Sequence, residues 1–209
     1  RENNRPALHQ AIMGSNAKGK TSFLGNVLTP SFYLVLLTAL TTSYHYLSSH
    51  HAEVDSYLGG PRVRSFENFE TFYKRVYREQ HADDHNRYLH FFGTTLVLAY
   101  AASEPLLLVA ATMAVVVGLN VYELTYMFKH GALEGAAMLL TYLVLSRALL
   151  RSLSRPLLPL LLGYGCAWMG HFFLEGNKPA TFTYAVFSFM GDFRMWWETV
   201  GELGRRMLG

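Results

Sequence analysis

The stretch LHFFGTTLVLAYAASEPLLLVAATMAVVVGLNVYELTYMF, Leu89–Phe128, decides the fold class. It holds two apolar runs, Leu89–Ala102 and Pro105–Phe128, with Ser103-Glu104-Pro105 between them. A proline behind two polar residues predicts a turn between two helices. One long helix kinked at Pro105 is the rival reading. The first run has 14 residues, about 21 Å of helix at 1.5 Å per residue. A hydrocarbon crossing needs about 30 Å. The preceding Asn86-Arg87-Tyr88 extends the run into the headgroup layer.

Working outward, Ala132–Leu150 and Pro156–Phe173 are two further apolar tracts. Hydrophobic residues make up 51% of the chain and charged residues only 16%, against about 25% in an ordinary soluble domain. The expectation is an all-α, multi-span helical membrane protein with four core transmembrane helices. Val27–Leu47 reads as an extra N-terminal span, with a membrane-surface helix as the alternative. Arg147, Arg151 and Arg155 mark the far end of the third core span. Four crossings put them opposite the basic segment Arg62–Arg87, against the positive-inside tendency. Four is nevertheless preferred, because only an even number brings the two polar motifs below to one side.

Gly59-Gly60-Pro61 is a strong break, and Ser65 is placed to cap the helix after it. Phe66, Phe69, Tyr73, Val76 and Tyr77 then recur at helical spacing, opposite Glu67, Glu70, Lys74, Arg75 and Arg78. This predicts an amphipathic helix covering the domain or lying at the membrane surface. Domain boundaries follow: a mobile tail over 1–26, an apolar helix and linker over 27–64, the main domain over 65–200, and a tail over 201–209.

Several function classes fall away. A net charge of +3 with scattered cations gives no nucleic-acid groove. The lone Cys166 forms no intrachain disulfide and reads as packing. Gly14-Ser15-Asn16-Ala17-Lys18-Gly19-Lys20-Thr21 matches the bare phosphate-loop pattern, but no strand precedes it and no α/β pattern follows. The N-terminal segment lacks the order of a secretory signal.

Two polar motifs edge the apolar tracts: His81-Ala82-Asp83-Asp84-His85-Asn86-Arg87-Tyr88-Leu89-His90, and Gly170-His171-Phe172-Phe173-Leu174-Glu175-Gly176-Asn177-Lys178-Pro179-Ala180. Histidine at a membrane boundary is costly unless paired, protonated or ligating. His81 and His85 are four apart, as are Asn86 and His90, and His171 and Glu175, so each pair shares a helical face. His81 and His90 are nine apart and oppose each other on one straight helix. They share an ion only if Asp83 or Asp84 caps a new helix and bends the chain. Histidine nitrogen with carboxylate oxygen suits iron or zinc. The bland reading is interfacial hydrogen bonding, with Glu175 paired to Lys178 or Arg194, Asn177 and Pro179 as turn residues, and Gly170 easing helix packing. His85, Glu175, Asp83, Asp84 and Asp192 are candidates to orient ligands from behind, and His130 is a reserve ligand.

In these two motifs the chain resembles the 2-hydroxy fatty acid dioxygenase family. Phe69–Thr94 carries Phe72-Tyr73, His81, Asn86, His90, Phe91 and Gly93, and Trp168–Thr181 carries Gly170-His171, Glu175 and Pro179-Ala180. The resemblance covers about residues 65 to 200. It implies a multi-span protein, of the endoplasmic reticulum in eukaryotes, and an iron-dependent oxidoreductase. The implied reaction takes a 2-hydroxy fatty acid and O2 to a fatty acid one carbon shorter, as in fatty acid α-oxidation during sphingoid-base degradation. It implies Fe(II) held by His81, His90 and His171, with Glu175 a further candidate ligand and Asn86 orienting the site. His85 sits beside the motif and competes with its neighbours as a metal ligand. Arg87, Lys178 and Arg194 are the cations placed to attract a substrate carboxylate. Membrane lipid surrounds the fold. The competing functions are a non-enzymatic membrane transporter or scaffold, and a zinc-dependent membrane hydrolase.

Overall fold

The computed structural model describes residues 29–58, 62–64, 66 and 68–209. The expected tail over 1–26, the break at Gly59-Gly60-Pro61 and the cap at Ser65 lie outside the described residues. The chain divides into two compact units, Arg1–Ala39 and Leu40–Gly209. Helix α1, Pro30–Ser49, runs across that division, and α2 is His51–Leu58. The described residues contain helices and no strand.

The predicted amphipathic helix is three short pieces. Asn68 caps α3, Phe69–Phe72, its Oδ1 accepting from the Thr71 N–H at 2.9 Å. A π-helical turn, Tyr73–Tyr77, and a 3₁₀ turn, Glu79–His81, follow. The apolar side is buried as expected: Phe72, Tyr73 and Tyr77 join Tyr122, Val186 and Phe187 in the main core.

Asp83 then starts α4, Asp84–Ser103, by accepting from the N–H groups of His85 and Asn86. The break at Glu104 resolves the Pro105 alternatives in favour of two helices, and α5 is Leu106–Thr125. Helix α6 is Ala132–Leu150, and α7 is Ser154–Met169, continued by a π-helical turn over Gly170–Glu175. Helix α8 is Ala185–Leu208. Gly93 lies against Cys166, and Val97 against Gly163, so α4 and α7 are antiparallel neighbours. That register brings the start of α4 to the end of α7, where the two polar motifs meet.

Three helical segments are long and apolar enough to cross a membrane: Leu106–Thr125, Ala132–Leu150 and Ser154–Glu175. They leave Leu108, Leu140, Val144, Leu161 and Phe173 exposed, which suits lipid and not water. The fourth core span expected over Leu89–Ala102 is not among these three. Helix α4 has the length, but its first two turns carry Asp84, His85, Asn86, Arg87 and His90. Helix α1 is not among the three either.

Arg64 ties the end of α5 to the start of α6. It is 2% exposed and bonds Glu134 Oε2 at 2.7 Å, the Thr183 carbonyl at 2.9 Å and the Thr125 carbonyl at 2.8 Å. A buried ion pair recovers its desolvation cost only with such multiple bonding. The clamp also fixes the approach to α8, which delivers Asp192 to the site.

Candidate metal centre

His81, His90 and His171 reach one point from three elements: the 3₁₀ turn, the second turn of α4, and the π-helical end of α7. All three are buried. One ring nitrogen from each lies within 4.8 Å of the others. The rings are near perpendicular, with centroids 4.4, 4.7 and 5.1 Å apart. The bend that the sequence required at Asp83 is present. Without it, nine residues of straight helix would turn His81 and His90 apart.

Each imidazole is held from behind through Nδ1. His81 Nδ1 donates to the Tyr77 carbonyl at 2.6 Å, His90 Nδ1 to Asp192 Oδ1 at 2.8 Å, and His171 Nδ1 to Asn177 Oδ1 at 2.7 Å. These acceptors fix the tautomer, because a neutral ring protonated at Nδ1 has its lone pair on Nε2. The Nε2 atoms of His81 and His90 are then 3.2 Å apart, lone pair facing lone pair. Burial, and next the neighbouring His90, depress the proton affinity of His81 to a pKa of about 3. A shared cation would relieve that approach, and three imidazoles backed by oxygen acceptors suit one. The residues present thus fit an iron ion.

Asp192 ties the shell together. Its Oδ1 accepts from His90 and from the Tyr77 hydroxyl, the latter at 2.5 Å. Burial alone would raise the Asp192 pKa. The hydrogen bonds from His90 and from the Tyr77 hydroxyl outweigh it and hold the carboxyl below its ordinary range. An ionised Asp192 makes the His90 ring a stronger donor to a cation. Asp192→Asn keeps the shape and loses the charge. It is expected to weaken iron binding about 10–100-fold, read by competition with a chelator; unchanged affinity would remove Asp192 from this role.

The other sequence candidates are placed as follows. Glu175 is not in the three-histidine cluster: its Oε1 accepts from the Asp83 N–H at 2.8 Å and from Asn86 Nδ2 at 3.3 Å. Asn86 is fully buried, its Nδ2 donating to Glu175 and its Oδ1 lying against Gly170. His85 is outside the cluster. Its side chain is 84% exposed, beside Asp83, because the Asp83 cap points the first turn of α4 outward there. His130 lies in the α5–α6 connection and stacks on Phe128. His51 contacts Glu123 at 3.1 Å, and His50 bonds the Tyr46 carbonyl. Arg194 is committed to Glu70 and Glu198. Arg87 makes long contacts to Asp84 and Glu202, at 3.4 and 3.6 Å.

Sequence reasoning missed two backing groups. Asn177, read as a turn residue, is returned to His171 by Gly176, whose φ of +65° is the left-handed conformation that favours glycine. Tyr77, read as one more apolar position, stacks on His81 at 4.1 Å and supplies its carbonyl. The available signal was Tyr77's place four residues before His81.

Buried imidazoles converging at the end of apolar helices define a non-haem metal protein of the membrane-associated, all-α kind. Residues 66–203 match the family model described as 2-hydroxy-palmitic acid dioxygenase Mpo1-like. The match covers well over half of the 209 residues, and the chain belongs to that family. No curated protein and no solved structure matches it. Family and site together make it a 2-hydroxy fatty acid dioxygenase, an iron-dependent oxidoreductase with a buried three-histidine cluster.

Proposed function

We propose that the protein converts a 2-hydroxy fatty acid and O2 to the fatty acid one carbon shorter, with His81, His90 and His171 holding Fe(II). The observation that carries this reading is the convergence of three Nδ1-anchored imidazoles. Atoms balance as R–CH(OH)–COOH + O2 → R–COOH + CO2 + H2O. The substrate loses four electrons and O2 accepts four, so no external reductant enters.

Bound iron supplies a place for O2 and the substrate hydroxyl to meet and exchange electrons. The chain does the rest. Tyr77, Asp192 and Asn177 lock the three rings in one tautomer, so their lone pairs stay aimed inward. Glu175 and Asn86 lock the start of α4 to the end of α7 and hold His90 and His171 in register. Burial keeps bulk water from the reacting atoms. We further propose that α4 crosses as a fourth span beside α7, its polar first turns at the boundary, and that in a eukaryotic cell the membrane is that of the endoplasmic reticulum. The acyl chain then stays in lipid while the carboxyl end reaches the polar edge.

The test is anaerobic purification in detergent, reconstitution with Fe(II), and addition of O2 and 2-hydroxypalmitate. The expected product is pentadecanoate, formed only with both iron and O2. Iron-loaded, folded protein that shortens no 2-hydroxy acid of any chain length would reject the assignment. Turnover with zinc in the absence of O2 would point to the hydrolase instead.

A further inference from the structure

We propose that the polar cavity beside His81 is a carboxylate subsite, with Arg78 and Arg87 as its cationic grip. The inference rests on the dioxygenase reading and adds which side chains grip the carboxylate of that 2-hydroxy acid.

The cavity has a volume of about 190 Å³ and is bordered by Tyr73, Arg78, His81, Arg87, Met195 and Glu198. Since about 10–15 Å³ admits one water, it has room for a carboxylate and the carbon beside it. It is bordered by His81, one of the three convergent histidines, which is what ties a headgroup seated there to the centre.

Its charge is set by which groups are already matched. Each Glu198 oxygen already has a partner: Oε2 accepts from the Tyr73 hydroxyl at 2.8 Å and Oε1 from Arg194 Nε at 3.1 Å. Arg194 also holds Glu70 and so balances the acidic side of the wall. Arg87 is only loosely held. Its contacts at 3.4 and 3.6 Å go to Asp84 and Glu202, which are 76% and 43% exposed, and exposed ion pairs contribute little. The Arg78 guanidinium makes no hydrogen bond or ion pair with the described residues. The cavity therefore presents one free and one weakly committed guanidinium. That planar donor fork matches a carboxylate in two parallel hydrogen bonds. Lys178 does not line this cavity, and Arg194 is already occupied, so the grip falls to a different pair of cations from the one that charge pattern alone suggests.

A carboxamide has the carboxylate's shape without its charge, which makes the pair of ligands a direct probe. The full chain is prepared in lipid nanodiscs, metal-free and anaerobic, and binding of 2-hydroxypalmitate is compared with that of 2-hydroxypalmitamide. The acid is expected to bind roughly 10–100-fold more tightly, the worth of charge-assisted hydrogen bonds. Arg78→Gln and Arg87→Gln should each shrink that preference, and the double variant should abolish it. Arg78→Lys should retain part of it, because the charge survives and the fork does not. Differences in lipid partitioning cancel when variants are compared in the same nanodiscs. In the iron-loaded enzyme, Arg78→Gln should raise KM more than it lowers kcat. Equal binding of acid and amide by the unaltered protein, or a preference undiminished in the double variant, overturns the subsite whatever the turnover. Absence of any shortened acid from the iron-loaded, unaltered protein overturns the dioxygenase reading instead, and the binding preference still decides the subsite.

Discussion

His171→Ala is expected to yield a folded helical protein that holds no iron and produces no shortened acid. The substitution removes one of three convergent nitrogens. Losing an outer hydrogen-bond partner of a metal ligand costs about 10–100-fold in affinity, and losing the ligand itself should exceed that. The cost to folding is much smaller. Asn177 Oδ1 loses its 2.7 Å donor, about 1–3 kcal/mol if it stays dry, while the Nε2 crowding between His81 and His90 remains. Metal content by mass spectrometry, helicity by circular dichroism and pentadecanoate formation separate these effects. The unaltered protein should carry iron and the variant only background, with helicity preserved. His85→Ala is the comparison, since its exposed ring should be dispensable for all three readings. Iron retained by His171→Ala, or lost in His85→Ala, would place the centre elsewhere.

Much of this centre was legible in the sequence, and the illegible parts have specific causes. The apolar tracts give helices because little else satisfies a backbone inside lipid, and Ala132–Leu150 was found at its observed bounds. The span count was harder to read. Helix α4 begins five residues before its apolar run, and its first two turns carry Asn86 and His90 to the site while Gly93 and Val97 pack on α7, so its sequence signal is mixed. His81, His90 and His171 were nameable because the motifs carry them. Whether His81 and His90 could meet depended on a bend, and Asp83 supplied the one local signal for it. The backing groups were less accessible. Asp192 lies on the last helix, and its bond to His90 spans 102 positions, a pairing no local pattern encodes. The separation of His85 from its neighbours is likewise a matter of which side of a capped first turn faces outward.

Gly170→Ala should lower iron affinity and turnover together, although glycine at this position touches no metal. A Cβ there would lie 1.9 Å from Asn86 Oδ1 and 2.9 Å from Asn86 Cγ, closer than any non-bonded contact. Asn86 has no direction of retreat. It is fully buried, its N–H is held by the Asp83 cap at 3.0 Å, and its Nδ2 donates to Glu175 at 3.3 Å. Flipping the amide would set its oxygen against the Glu175 carboxylate. The strain therefore passes to the π-helical turn, whose next residue is His171. A shift of about 1 Å at a reacting centre costs on the order of 100-fold in rate, and overpacking costs about 1–3 kcal/mol in stability. Two companions make the cause visible. Gly165→Ala on the same helix meets nothing within 4 Å and should behave as the unaltered protein. Asn86→Ala combined with Gly170→Ala opens the space, so the pair should be less impaired than the two separate losses added together. Additive losses in that cycle, or an active Gly170→Ala, would mean that the α4–α7 contact does not position His171.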